Sequence, residues 1–238
     1  MKYIIILFIG ISFLTIPYAD YLDGLKGYWK FDGDLLDSSG NGHNASASGS
    51  TWAQGQFGQA ASFDGINDYI SIPTLTNTNF VISMWLKTDL SKRYALVNFE
   101  GNSLSDWGLE TNSGKLRISE LGSHGHESSS SLNANEWNHI IFDNINGRYY
   151  VNGQLDNSFT KVHGLAPNWL IGWKGSYGNQ NFLNGQIDEF AVYDRALQLD
   201  DIQYIMNHGV NIPAVPEAST LLLWIIGLAS IYIKLKKS

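Results

Sequence analysis

Apolar and polar positions alternate over short stretches from residue 20 to about residue 209, the period of strands rather than helices. Residues 27–31 open the series, with Trp29 and Phe31 on one side and Tyr28 and Lys30 on the other. Strands are further predicted at 60–63, 69–72, 80–86, 95–99, 107–111, 115–119, 137–143, 147–155, 169–173 and 186–193. The strongest local signal is Asn152-Gly153 between apolar-bearing runs, a two-residue hairpin turn. Trp29, Trp85 and Trp137 fall in alternating runs and are expected in the core. One helix is predicted at 199–207, where Leu199, Ile202, Ile205 and Met206 form a stripe, Asp200 and Asp201 favour the first turn and Gly209 ends it. Many short strands with one late helix give an all-β expectation, a two-sheet antiparallel sandwich or jelly roll.

Both ends break the pattern. Residues 4–16 are an apolar run behind Lys2, followed by Pro17-Tyr18-Ala19, which reads as a secretory signal cleaved after Ala19. Residues 210–218 read as a linker, and 219–238 as an apolar segment with a lysine-rich end, short for a full membrane span. The expected domain is 20–209.

Composition sharpens this picture. With no cysteine, neither a disulfide nor a thiolate is at hand, and aromatic residues must build the core. Between Asp20 and Gly209 eleven basic residues face twenty-one acids, a net charge of −10. Such a surface repels nucleic acid and attracts cations.

Residues 27–44, GYWKFDGDLLDSSGNGHN, carry a strand into a loop dense in Asp, Ser, Gly and Asn. Oxygen side chains and tight glycine turns suit calcium, and the same residues also make ordinary surface turns. The chain has no Glu-x-Asp-x-Glu run of the kind a glycosidase strand would present on one face. Asp188 and Glu189 are adjacent, which on a regular strand points them to opposite faces, and Glu110 and Glu120 stand singly. His124, His126 and Glu127 offer metal-type donors in a serine-rich loop, without a second cluster to complete them.

Five blocks carry a resemblance: GYWKFDGDLLDSSGNGHNASASG, GQFGQAASFDGINDYISIP, FVISMWLKT, YYVNGQL and NGQIDEFAVYDRAL. In this order they are similar to the laminin-G-like, concanavalin A-like jelly rolls of bacterial secreted proteins. The resemblance implies two stacked sheets of six or seven strands each, with first and last strands paired. It also implies one structural calcium, carried over to Asp32, Asp37, Asn41 and Asp188. The residues Val215, Pro216 and Glu217, the apolar stretch and the basic end resemble a PEP-CTERM sorting tail, with Ala218 in place of its second proline. That tail implies an exosortase-like processing enzyme, passage through export machinery and at least transient membrane attachment.

For a glycan the fold needs an aromatic plate with amides nearby. The polar, glycine-bearing stretch 173–181 offers Trp173, Tyr177, Asn179 and Gln180. The sequence thus predicts an exported, calcium-stabilised, non-catalytic jelly roll of the cell envelope or extracellular matrix that binds polysaccharide. Protein adhesion and glycoside hydrolysis are the alternatives.

Overall fold

The structure, a computed structural model, describes residues 20–73, 75, 79–100, 107–119, 125–159, 168–173 and 181–212. The expected signal and sorting segments, including Val215, Pro216 and Glu217, lie outside them. No helix among the described residues is long and apolar enough to cross a membrane.

A single 3-10 turn, Asp20–Leu22, precedes the first strand. The strands then follow as β1 (Leu25–Trp29), β2 (Ser46–Ser48), β3 (Thr51–Gln54), β4 (Gln59–Asp64) and β5 (Tyr69–Ile72). The middle of the chain supplies β6 (Val81–Thr88), β7 (Tyr94–Glu100), β8 (Trp107–Asn112), β9 (Lys115–Ser119) and β10 (Asn138–Asp143). Last come β11 (Arg148–Val151), β12 (Gln154–Ser158), β13 (Asn168–Ile171), β14 (Asn184–Tyr193) and helix α1 (Leu199–His208).

They form two antiparallel sheets. The larger runs β12-β11-β10-β6-β14-β4-β3, with β1 also on β14, and the smaller runs β2-β5-β13-β7-β8-β9. The smaller sheet has six strands, as expected, while the larger has eight rather than six or seven, because the ten-residue β14 pairs with β4 along its first half and β1 along its second. The first and last strands are paired, as the resemblance implied.

One face of each sheet closes the main core. Trp29, Phe63, Ile82, Phe99, Phe142, Trp169 and Phe190 meet there, all essentially buried. A tilted aromatic chain runs through it, with Phe80 4.9 Å from Trp169 and 5.3 Å from Phe99. Large aromatic rings thus supply the buried area that the cysteine-free chain needs.

The outer face of the larger sheet carries a second core. There Ile202 and Ile205 of α1 cover Tyr28, Val81, Ile141, Tyr150 and Tyr193. A reciprocal pair between Gln198 and Asp201 caps the helix start. Trp85 also faces this outer side rather than the main core, because its neighbours Met84 and Leu86 take the inner one. Trp137 precedes β10 and is half-buried, so of the three expected core tryptophans Trp29 alone is in the main core. The predicted hairpin at Asn152-Gly153 forms with φ of 48° and 76°.

The two ends of the described chain are tied together. Tyr21 donates its hydroxyl to the Asn211 carbonyl at 2.8 Å, and Val210 donates its amide to Glu189 at 3.0 Å.

Candidate functional site

The Asp-rich loop after β1 is held by its own side chains. Asp37 accepts amide hydrogens from Tyr28 (3.0 Å), Ser39 (2.9 Å) and His43 (2.9 Å), and its side chain has no exposed surface. Burial opposes its charge, but the donors from Ser39, His43 and Tyr28 outweigh it and hold the carboxyl below its ordinary range. Asn41 donates to the carbonyls of Leu25 and Lys26, both at 3.1 Å. Two of the four expected calcium ligands therefore stitch the loop to β1.

The other two meet at a different place, the turn between β3 and β4. Asp32 accepts the Gln59 amide at 2.7 Å, and Asp188 accepts the Phe57 amide at 2.9 Å. Gly58 lies between them at φ 56°, where a Cβ would come 2.1 Å from an Asp32 carboxylate oxygen. The second oxygen of Asp188, Oδ1, is buried without a hydrogen-bond partner. Burial, first of all, with the nearby Glu189 adding to it, pushes the Asp188 carboxyl up to about 7. Among the described residues no group of three or more His, Asp or Glu is placed to hold a metal ion.

Glu189 corrects a sequence expectation. A β-bulge falls between Asp188 and Ala191, with Glu189 at φ 53°, so the two acids share the outer face instead of opposing each other. Asp188 pairs across from Trp85 there, and Glu189 accepts the Tyr28 hydroxyl at 2.6 Å. Burial raises both the Glu189 carboxyl and the Tyr28 hydroxyl.

The other acid candidates are engaged as well. Glu110 is buried and receives both Arg93 Nε, at 2.6 Å, and Arg93 Nη2. Glu127 accepts from Asn112 at 3.0 Å, and the His126 carbonyl accepts from Ile118 and Tyr149. His124 and Glu120 lie outside the described residues, and so do the expected ligand residues Tyr177, Asn179 and Gln180. Trp173 is half-buried and packs between two rings, stacked on Phe182 at 5.7 Å and tilted against Tyr69 at 5.0 Å.

An open polar groove of about 340 Å³ lies where β4, β6 and β14 meet the turn before β10. Lys87, Asp89, Asn135, Asn184 and Gln186 line it, together with Ser62 and Thr88. Thr88 ties the walls together: its carbonyl accepts the Asn135 amide at 2.8 Å, and its hydroxyl donates to the Asn184 carbonyl at 2.7 Å. Gly185 permits the close approach of β14, since a Cβ there would lie 2.4 Å from the Lys87 carbonyl. Trp137 is not part of the lining but stands next to it, with the Lys87 ammonium 6.0 Å from its ring centre. Asp89 accepts from Ser91 and Tyr94; burial works against its charge, but these donors hold the carboxyl low. The sequence reading missed this groove because its residues come from four separate segments.

The sequence profile of the concanavalin A-like lectin/glucanases superfamily, in its laminin-G form, matches residues 63–203. The chain belongs to that superfamily. No curated protein matches the chain. Among solved structures, it resembles domain 4 of AbnA, an extracellular GH43 arabinanase from Geobacillus stearothermophilus determined in complex with arabinotriose. That match has a TM-score of 0.65 at 21% identity and covers 76% of this chain and 98% of that one. The binding domain of Paraclostridial Mosquitocidal Protein 1 matches with a TM-score of 0.63 at 21% identity, over 79% of this chain and 52% of that one. Trypanosoma rangeli sialidase with a bound sialic acid derivative matches with a TM-score of 0.62 at 17% identity, over 77% and 32%. The chain thus spans about half and a third of those two structures. At these identities the likeness is one of fold. A concanavalin A-like sandwich serves both binding domains and enzymes, so the site must carry the functional argument.

Proposed function

We propose that the protein is a non-catalytic glycan-binding module and that the groove beside Trp137 is its binding surface. The observation that carries this reading is the groove's composition. A half-buried tryptophan stands beside the groove's Lys87, and three amide side chains, Asn135, Asn184 and Gln186, supply donors and acceptors suited to sugar hydroxyls. The non-catalytic part is supported by the engagement of Glu110 with Arg93 and of Glu189 with Tyr28. Hydrolysis of a glycosidic bond needs two carboxyl groups facing a substrate across a few ångströms.

Calcium belongs to the same reading, reduced from four side chains to two. Asp32 and Asp188, which grip the β3–β4 turn, fit an ion better than Asp37, whose two oxygens already accept three backbone amides, and Asn41, whose amide nitrogen is tied to the Leu25 and Lys26 carbonyls. The buried, unpartnered Asp188 Oδ1 is the atom that such an ion would satisfy. Bound there, calcium would supply the positive charge that the buried carboxylates lack. Export, through the apolar segment 4–16, and envelope attachment, through Val215-Pro216-Glu217 and the segment 219–238, complete the proposal. The groove lies at the start of β14, while the tied chain ends lie toward its finish, which would leave the groove free on an attached protein.

The test is a glycan array probed with the full-length protein and with Trp137→Ala. Binding that falls at least tenfold in the variant supports the assignment. Equal binding by both would place the ligand elsewhere, and release of reducing sugar would contradict the non-catalytic reading.

A further inference from the structure

We propose that the groove selects sugars bearing a carboxylate, of the uronate class, with Lys87 as the residue that reads the charge; this rests on the glycan-binding reading above. Among the described residues Lys87 is the one cation lining the groove, and it forms no ion pair with any of them. Its place follows from the strand period. Leu86 turns into the main core, so Lys87 turns out, beside Gln186 on β14. By continuation of the β6–β10 register it stands opposite Trp137. The ring attracts the ammonium, which restrains a side chain that would otherwise be free to disperse its charge in water.

The groove is mostly polar, with Phe63 and Gly185 as the rest of its lining. The Lys87 ammonium stands 6.0 Å from the Trp137 ring centre. Asp89 lines the groove too, and its oxygen Oδ1 is spent on the Ser91 amide (3.0 Å), the Ser91 hydroxyl (3.0 Å) and the Tyr94 hydroxyl (2.7 Å). The amides of Asn135, Asn184 and Gln186 line it as well, and the Gln186 side-chain oxygen Oε1 is buried without a partner. A sugar ring that carries hydroxyls for the amides and a carboxylate for the ammonium matches this set of groups. A neutral ring filling the groove would cover the ammonium without replacing its water, a cost that a carboxylate offsets by a charge-assisted hydrogen bond. The domain's net charge of −10 does not cancel the preference at close range, because at ~0.15 M salt charges beyond about 8 Å are largely screened.

The discriminating probes are oligogalacturonate and its methyl ester, which share a ring and differ in the charge. Titrate each into the full-length protein, and into Lys87→Met and Trp137→Ala variants whose melting curves show them folded. The inference expects the acid to bind at least ~10-fold more tightly than the ester, the size of a hydrogen bond to a charged group. It also expects Lys87→Met to bring the two together by weakening the acid alone. Equal affinities in the wild type, or an equal loss of both in Lys87→Met, overturn it. Binding of neutral glycans that Trp137→Ala abolishes, with no preference for the acid, overturns this inference and leaves the glycan reading standing. Failure of every glycan tested, acidic or neutral, overturns both.

Discussion

Tyr28 donates its hydroxyl to Glu189 at 2.6 Å, joining the first strand of the larger sheet to the bulge in its last. The same carboxylate oxygen also accepts the Val210 amide, so one buried acid fastens β1, β14 and the chain leaving α1. Glu189 is 5% exposed, and a buried carboxylate that loses a donor bears most of the desolvation penalty itself. Tyr28→Phe removes the donor and keeps the ring. It should cost ~1–3 kcal/mol in urea unfolding. An unchanged midpoint would show that this bond does not hold the ends.

The calcium proposal separates two pairs of residues by their response to the ion. Calcium that binds the folded state alone raises stability by mass action, about 2.7 kcal/mol at a hundredfold excess over Kd. The melting temperature should rise with calcium in the wild type and stop responding in Asp188→Asn. Asp37→Ala should lower the melting temperature with or without calcium and keep the calcium increment, because Asp37 holds the loop through three backbone amides. An Asp37 variant that loses the increment would restore the four-ligand site.

His139 gives a pH test. Burial depresses its imidazole to about 3, and its Nε2 lies 3.1 Å from the Ser83 hydroxyl. The folded state therefore resists the proton that the unfolded chain accepts below its ordinary value of 6.5. The contribution of His139 to stability is complete above about 6.5 and is lost as pH falls toward 3. Asp188 acts in the opposite direction, since its raised carboxyl favours the folded state as pH falls from about 7 toward 4. The difference between wild type and His139→Phe isolates the first effect. Denaturation from pH 7 to pH 4 should show the wild type losing stability relative to the variant, and parallel curves would contradict the assignment.

Gly185 supports the groove by what it lacks. A methyl group there meets the Lys87 carbonyl at 2.4 Å and the Thr88 Cβ at 2.9 Å, so β14 must move away from β6. Gly185→Ala should lower stability by ~1–3 kcal/mol, the usual range for overpacking, and weaken glycan binding as well. Full binding by that variant would mean that the groove's walls need not be held this close.

Some of this was legible in the sequence for clear physical reasons. The alternation through Phe80–Leu86 marks β6, the Asn152-Gly153 turn marks the β11–β12 hairpin, and the stripe from Leu199 marks α1. Strands β2 and β3, SAS and TWAQ, were missed because exposed edge strands need no apolar alternation. The bulge at Glu189 was also hidden, since one extra residue changes which face an acid takes without changing the composition. Asp37 shows a different limit: a calcium ligand and a turn-forming aspartate are the same residue type in the same kind of loop, and the hydrogen bonds tell them apart. The groove was the hardest to foresee. Ser62, Lys87, Asn135 and Gln186 become neighbours through pairing between distant strands.

The central claim is that the surface beside Trp137 binds glycan, and direct titration of the full-length protein with an array-selected oligosaccharide tests it best. The account predicts saturable binding that falls at least ~10-fold in Trp137→Ala while the melting temperature holds, consistent with one lost aromatic contact and its hydrogen-bonded surroundings. Saturable binding that Trp137→Ala leaves intact would contradict it.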